Sequence, residues 1–580
     1  MKPAFVLVIG AALSAAACGG DGGDSNPPAN GGGPTAQGGS GQPTGTGGGG
    51  NRPNTSGGAP ATGGQPGSAG QAPSTGGRPD FTAECAAPKP GSPVLRLLTR
   101  SEFEQTLSDV FPQIKGKWTN SLPAGMVDKE TGFDNDAGAQ VGRQLAGALL
   151  DTATSIATAV TGDQLNAILP CAVNSPDAAC VEGFLGSYGR RLFRRPLSAG
   201  ERTTYLAYFE AARAKSDFVT ALKWTTVGLI QSPHALYRRE IGTVQGDGAR
   251  ALDPFEIATE LAYTYTGSTP TEALLNEAER NSLGDPVGRA KALLATEPGK
   301  QAFQRFFEAY VGYPRAAAIQ KQKVQEYASV SADMLQETRR FIDEVLLQNG
   351  GGVKELLTAP TTNPSIRLAQ YYGFGAPSAD YAAVARPAGR GIGLFAQGSF
   401  LATRAGSDYS SPTQRGIFMA TRLLCRHILP PPDAVPPLAT GNTGTITTRQ
   451  RYEEAHAKGG CAGCHRFFDP IGFGFEHFDE AGRYREQELG LPINSVSQVP
   501  DENGATLFEF TSQEELMTKL AEQPEVYSCF AGYLAMYAFG TADACLGPSQ
   551  IENLQQGKVG IADAFTSLAA EPHFTRRSAQ

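Results

Sequence analysis

The chain has 580 residues, enough for two to four domains. Its net charge of −8 is spread without long runs, which argues against nucleic acid as a main partner. Nine cysteines in one chain raise the question of compartment, and the N-terminus answers it.

Lys2 precedes an apolar, small-residue stretch over 4–17, which is too short to span a bilayer and reads as a secretion signal. Ala15-Ala16-Ala17-Cys18 resembles a bacterial lipobox and makes Cys18 the expected lipidated residue, although Ala15 stands where leucine is commonest. Gly19 follows in place of an aspartate, which in bacterial lipoproteins favours sorting to the outer membrane. The competing reading is a plain signal peptide cleaved nearby. No later stretch reaches 18 uninterrupted apolar residues, so no transmembrane helix is expected. Residues 19–80 are Gly, Ser, Thr, Pro, Asn and Gln with almost no apolar content, and are expected to stay disordered. A Gly/Ser-type coil of that length reaches about 40–50 Å and would tether a lipid anchor to a folded body.

From Cys85 onward the pattern is globular and mainly helical. Thr99 to Glu102 forms a capping box, with Phe103, Leu107, Val110 and Phe111 on one face. Ser198 and Glu201 form another. Asp253, Pro254 and Glu256 place a cap, an N1 proline and an N3 glutamate together, with Gly267 as the stop. Thr269 to Glu272 repeats the device. Helical spacing runs from Met334 to Val345 and ends at Asn349-Gly350-Gly351. Alternation near 494–509 predicts a hairpin, and Thr511 with Glu514 opens a further helix. Pro/Gly-rich breaks near 241–250, 374–390, 428–447 and 497–510 divide the chain. The expected parts are a signal at 1–18, a linker at 19–80, helical domains at 81–245, a helical middle domain at 250–385, a class-I-like cytochrome c module at 386–500 and a helical C-terminal domain at 505–580.

The most informative string is Cys461-Ala462-Gly463-Cys464-His465. Two cysteines two residues apart, with histidine directly after the second, form the covalent attachment pattern of haem c. In one helical turn the thiols can reach two vinyl groups, and the next residue offers an imidazole to the iron. His465 is then the axial ligand. The apolar residues Phe467, Phe468, Ile471, Phe473, Phe475 and Phe478 could form a wall. Three other readings compete. Zinc lacks a second Cys/His pair at suitable spacing, a thioredoxin-type motif lacks a βαβ pattern, and a structural disulfide remains. Six cysteines are left after lipid and haem: Cys85, Cys171, Cys180, Cys425, Cys529 and Cys545. They allow up to three disulfides or free buried thiols, and Cys171 with Cys180 is the most local pair.

Asp469-Pro470 is near enough to offer a backbone carbonyl to the second nitrogen of His465. Arg483 and Arg485 are candidates for the haem propionates, against ordinary surface salt bridges. Met517 and His456 are candidates for the sixth ligand. Met517 competes with plain core packing, and His456 would need a break near Gly459-Gly460 to cross the haem plane. Arg190, Arg191, Arg194 and Arg195 resemble an anion site on a helical face, but pairing with acidic neighbours explains them better. Asp134-Asn135-Asp136 resembles a calcium loop without its glycine and glutamate, and reads as a turn with a helix cap. No hydrolase elbow, phosphate loop or zinc-protease motif occurs, so no catalytic residue is assigned.

Several longer strings carry a family resemblance. They are Leu95 to Glu102, Thr131 to Asp136, Arg190 to Leu197, Ser232 to Arg238, Ser411 to Gly416, Leu423 to Cys425, and Cys461 to Arg485. Together they resemble the exported planctomycete and myxobacterial proteins built from planctomycete cytochrome C and adjoining planctomycete-specific domains. The likeness covers nearly everything from Cys85 to about 575. Many relatives have methionine before the Asp469-Pro470 step, where this chain has Phe468. The resemblance implies an exported haem protein, with a neighbouring exported protein as partner, and implies no reaction. The sequence therefore predicts a lipid-anchored monohaem cytochrome facing the periplasm or cell surface, which transfers single electrons to a redox partner protein. A peroxidase- or oxygenase-like haem enzyme and a non-catalytic surface scaffold are the alternatives.

Overall fold

The computed structural model describes residues 89–579, apart from 126, 129, 130, 429–444, 457 and 458. The signal segment with Cys18, the linker at 19–80, Cys85 and most of the break at 428–447 lie outside the described residues. Of the described residues 55% are helical and 8% are in strands, so the class is mainly α, as the periodicity predicts. Among the described residues no helix is long and apolar enough to cross a membrane.

Strand β1 (Val94–Leu97) pairs antiparallel with β2 (Tyr237–Glu240), Val94 opposite Glu240 and Leu97 opposite Tyr237. Between them run α1 (Arg100–Val110), α2 (Arg143–Val160), α3 (Ala199–Arg213) and α4 (Phe218–Ile230). Helix α4 packs on both α2 and α3. Their apolar stripes close a core that draws on residues from Leu98 to Leu236. The capping boxes at Thr99/Glu102 and Ser198/Glu201 both form. So does the one at Asp253/Glu256, which opens α5 (Pro254–Thr266) and ends in left-handed backbone at Gly267 (φ 67°). The following helix starts later than expected. Its cap is Thr271, whose hydroxyl accepts the amide of Leu274. Thr269 is buried, and its hydroxyl donates to the Arg191 carbonyl instead.

A second and larger core draws on residues throughout 261–574. It takes side chains from α5, α6 (Glu297–Val311), α7 (Tyr327–Ile342), α8 (Pro412–Phe418) and a long helix over Pro524–Phe539. Helix α7 runs on into a wider π turn through Gln348 and stops at Asn349. Three short helices follow the break: α9 (Thr448–His456), α10 (Gly459–His465) and α11 (Asp469–Phe473). The expected hairpin is β3 (Ser497–Pro500) with β4 (Thr506–Phe510). Helix α12 (Gln513–Leu520) is capped by Ser512, one residue later than predicted, because Thr511 is engaged with Glu515 through both its amide and its hydroxyl. Helix α13 (Pro524–Phe539) is buried almost all round.

Two features fix the region around α11. The first is a helix crossing without side chains between the backbones. A Cβ on Gly416 would lie 1.9 Å from the Phe468 carbonyl oxygen, and one on Gly472 would lie 1.9 Å from that of Pro412. Glycine at both positions lets α8 and α11 touch. The second is covalent: a disulfide joins Cys425, after α8, to Cys529 on α13. Cys171 and Cys180 form another, and Cys545 is also disulfide-bonded. Among the described residues, Cys461 and Cys464 are the free thiols.

Candidate functional site

Helix α9 is started by a reciprocal cap, in which the Gln450 side chain accepts the Thr447 amide and the Thr447 hydroxyl accepts that of Gln450. Tyr452 and His456 share a face four residues apart, with ring centroids 5.2 Å from each other. Helix α10 then presents Cys461, half-buried, and Cys464, exposed. The amides of Phe467 and Phe468 return to the carbonyls of Cys464 and His465 and turn the chain into α11.

That turn brings Asp469 under two imidazoles. His456 Nδ1 lies 2.6 Å and His465 Nδ1 3.0 Å from the same oxygen, Oδ2. The Thr413 hydroxyl donates to the other oxygen, Oδ1, at 2.6 Å. The two rings are tilted against each other with centroids 3.5 Å apart, and Phe468 closes on His465 at 4.9 Å. Asp469 is only 4% exposed. Burial pushes its carboxyl up, but the bonds from His456, His465 and Thr413 outweigh that and hold it below the usual range. An ionised carboxylate can only accept, so both rings carry their proton on Nδ1. In the neutral form of such a ring Nε2 keeps its lone pair. The contact to His465 therefore comes from the Asp469 side chain, where the sequence suggested a backbone carbonyl of the same segment.

His456 sits beside His465, sharing its carboxylate. Met517 is fully buried in the main core, on a helix that packs against Val353–Thr358 and β4, while α10 packs on α9. Arg483 pairs with Asp479 at 2.9 Å. Arg485 bonds to Ser410, Glu476 and Glu488. Both propionate candidates are thus already paired. A residue that the sequence reading passed over is better placed by chemistry: Arg451 on α9 has Nε and Nη2 buried with no partner, its guanidinium 4.5 Å from the Tyr409 ring. The expected apolar wall is largely used elsewhere. Phe468, Ile471, Phe475 and Phe478 belong to the main core, and Phe473 and Phe467 are covered by Arg449 and Arg466.

The arginine cluster divides its work. Arg190 pairs with Glu272 and Glu279, and Arg195 with Glu201. Arg191 and Arg194 donate to backbone carbonyls, of Asp109 and of His234, Ala235 and Tyr237. Asp134-Asn135-Asp136 is a turn, but it caps no helix: α2 begins at Arg143 behind Gly142.

Four family models match in succession. PSD3, a protein of unknown function (DUF1587), matches residues 96–162, and PSD5, likewise of unknown function (DUF1595), matches 180–240. PSD4, of unknown function (DUF1592), matches 252–374, and PSCyt3, of unknown function (DUF1588), matches 391–488. The chain belongs to the planctomycete cytochrome and planctomycete-specific domain family. The PSCyt3 domain, which its name marks as cytochrome-like, holds the site residues from Tyr409 and Thr413 to Arg485, and Met517 lies beyond it. No curated protein and no solved structure matches the chain.

The PSCyt3 site suits haem c better than zinc. Neither thiol joins the cluster of His456, His465 and Asp469, and the N–O separations within it are hydrogen-bond lengths. The thiols stand free beside an imidazole with an open Nε2, and an orphaned guanidinium waits on the preceding helix.

Proposed function

We propose that the chain is an exported, lipid-anchored monohaem c-type cytochrome that passes single electrons to a redox partner protein. The observation that carries this reading is the pair of free thiols Cys461 and Cys464, in a chain whose other described cysteines are disulfide-bonded. Oxidation spends cysteines in pairs where geometry allows, and these two are kept for another bond. Cys461 and Cys464 would hold the vinyl-derived carbons, His465 Nε2 the iron, and Arg451 a propionate. Haem c would supply a one-electron couple.

The wild type is expected to keep its haem through a denaturing gel, and Cys461→Ala/Cys464→Ala to lose it completely. Haem that leaves the wild type under acid–acetone extraction overturns the reading. A second reading, a haem enzyme, is favoured by one feature: a carboxylate on the axial imidazole makes that ligand a stronger donor. Met517 is carried forward as the sixth-ligand proposal, while His456 stands against the axial ring on the carboxylate they share. A six-coordinate, low-spin oxidised spectrum supports transfer, and a high-spin one supports the enzyme.

Anchoring rests on Cys18 and the polar stretch behind it. Cys18→Ser is expected to move the exported protein from the membrane fraction, here proposed as the outer membrane, to the soluble one. A wild type already soluble after export removes the lipid anchor from the proposal.

A further inference from the structure

The axial histidine does not have its carboxylate to itself. His456 donates to the same oxygen of Asp469 as His465, and it does so from closer, 2.6 Å against 3.0 Å. Thr413 draws on the other oxygen at 2.6 Å. Three donors therefore share one buried negative charge. A carboxylate that accepts the Nδ1 proton of a metal-bound imidazole raises the basicity of the ring. A more basic ring favours the oxidised metal and lowers the reduction potential, because second-shell hydrogen bonding is one of the levers a protein holds over haem. Every other donor to the same carboxylate takes part of that charge away.

We propose that Asp469, His456 and Thr413 are positioning residues that set the potential of a group bound to His465, Asp469 pulling it down and the two competing donors holding it up. The inference rests on the haem reading and names what controls that site. A role confined to folding predicts something different. Removing any member of a purely structural cluster should loosen the site in the same sense.

The test is a spectroelectrochemical titration of the full chain with haem attached, haem content being checked by its pyridine haemochrome. Asp469→Asn keeps the shape and removes the charge, and its midpoint is expected to rise. His456→Phe keeps a ring against His465 and removes the donor, and its midpoint is expected to fall. In the double variant the His456→Phe shift should vanish, because it acts through Asp469; this is a double-mutant cycle with a stated sign. Thr413→Val is nearly isosteric and should shift the midpoint down as His456→Phe does. It keeps the proposal testable if Asp469→Asn fails to retain haem.

Shifts of one sign for all three single variants, additive shifts in the double variant, or no shift at full haem content overturn the inference and leave the haem reading standing. A wild type without covalent haem overturns both.

Discussion

Arg415→Leu is expected to destabilise the chain more than any other single change in the PSCyt3 domain. The side chain is 0% exposed. Its Nη1 donates to the carbonyls of Phe475 and Phe478 at 3.0 and 2.8 Å, and its Nη2 to those of Leu401 and Asp479 at 3.2 and 2.8 Å. One guanidinium thus pins the segment that follows α11. Burial lowers its pKa to about 10, which leaves it charged at neutral pH. Leucine would orphan the buried carbonyls of Leu401 and Phe478 and leave those of Phe475 and Asp479 with only the amides of Phe478 and Gly482; at about 1–3 kcal/mol for each orphan, a loss of about 3 kcal/mol or more is expected. Thermal unfolding measures it. The control is Arg483→Gln: that residue is half-exposed and paired with Asp479, so about 1 kcal/mol or less is expected. Equal shifts in the two variants would mean that Arg415 does not hold the segment.

Arg238→Met is the second large effect. Arg238 is fully buried and reaches Glu260 at 2.6 Å, Glu102 at 3.3 Å and Glu240 at 3.7 Å. Glu240 is also held by Arg577 at 2.6 Å and Arg96 at 4.0 Å. Strand β1, strand β2, α5 and the C-terminal tail meet in this one network. Removing the central cation leaves carboxylates buried without it, at a cost of about 3–5 kcal/mol. Burial pushes Glu260 up to about 7, so it takes up its proton before the chain unfolds in acid, and acid stability reports on Glu240. Burial pushes the Glu240 carboxyl up, but Arg577, Arg238 and Arg96 together bring it to about 2. A depressed carboxyl stabilises fully above its unfolded value of about 4.5 and stops doing so as pH falls through about 2. Arg238→Met should therefore move the acid-unfolding midpoint to higher pH. An unchanged midpoint would show that Arg577 and Arg96 suffice for Glu240.

The elements legible in the sequence are those with local causes. The boxes at Thr99, Ser198 and Asp253 close within four residues, and reading them needs no knowledge of the fold. Thr269 failed as a cap because its hydroxyl is taken by Arg191, 78 positions away. The CxxCH string was legible for the same local reason. Asp469 was found as a neighbour of His465, and its spacing of four could have pointed to the side chain. The string Ser411 to Gly416 stood out as a family marker with no chemistry attached. Its meaning is tertiary: Ser411 caps α8, Thr413 binds Asp469, Arg415 grips 475–479, and Gly416 lets α11 approach. No periodicity reports a crossing of that kind. Arg451 was passed over because its orphaned nitrogens exist only once Tyr409 has folded against it.

The bond between Cys425 and Cys529 bridges 104 positions, and the two free thiols lie inside the loop it closes. In an exported chain, Cys425 emerges first, then Cys461 and Cys464, and its native partner comes last. An oxidant that joined these four in order of emergence would couple Cys425 to Cys461 and Cys464 to Cys529. Correct maturation therefore requires a schedule: either the pair at 461 and 464 is capped before oxidation reaches it, or α13 docks before Cys425 reacts. Starving such a chain of its capping group should raise the fraction of mispaired molecules on a non-reducing gel, even though nothing in the folded cores has changed.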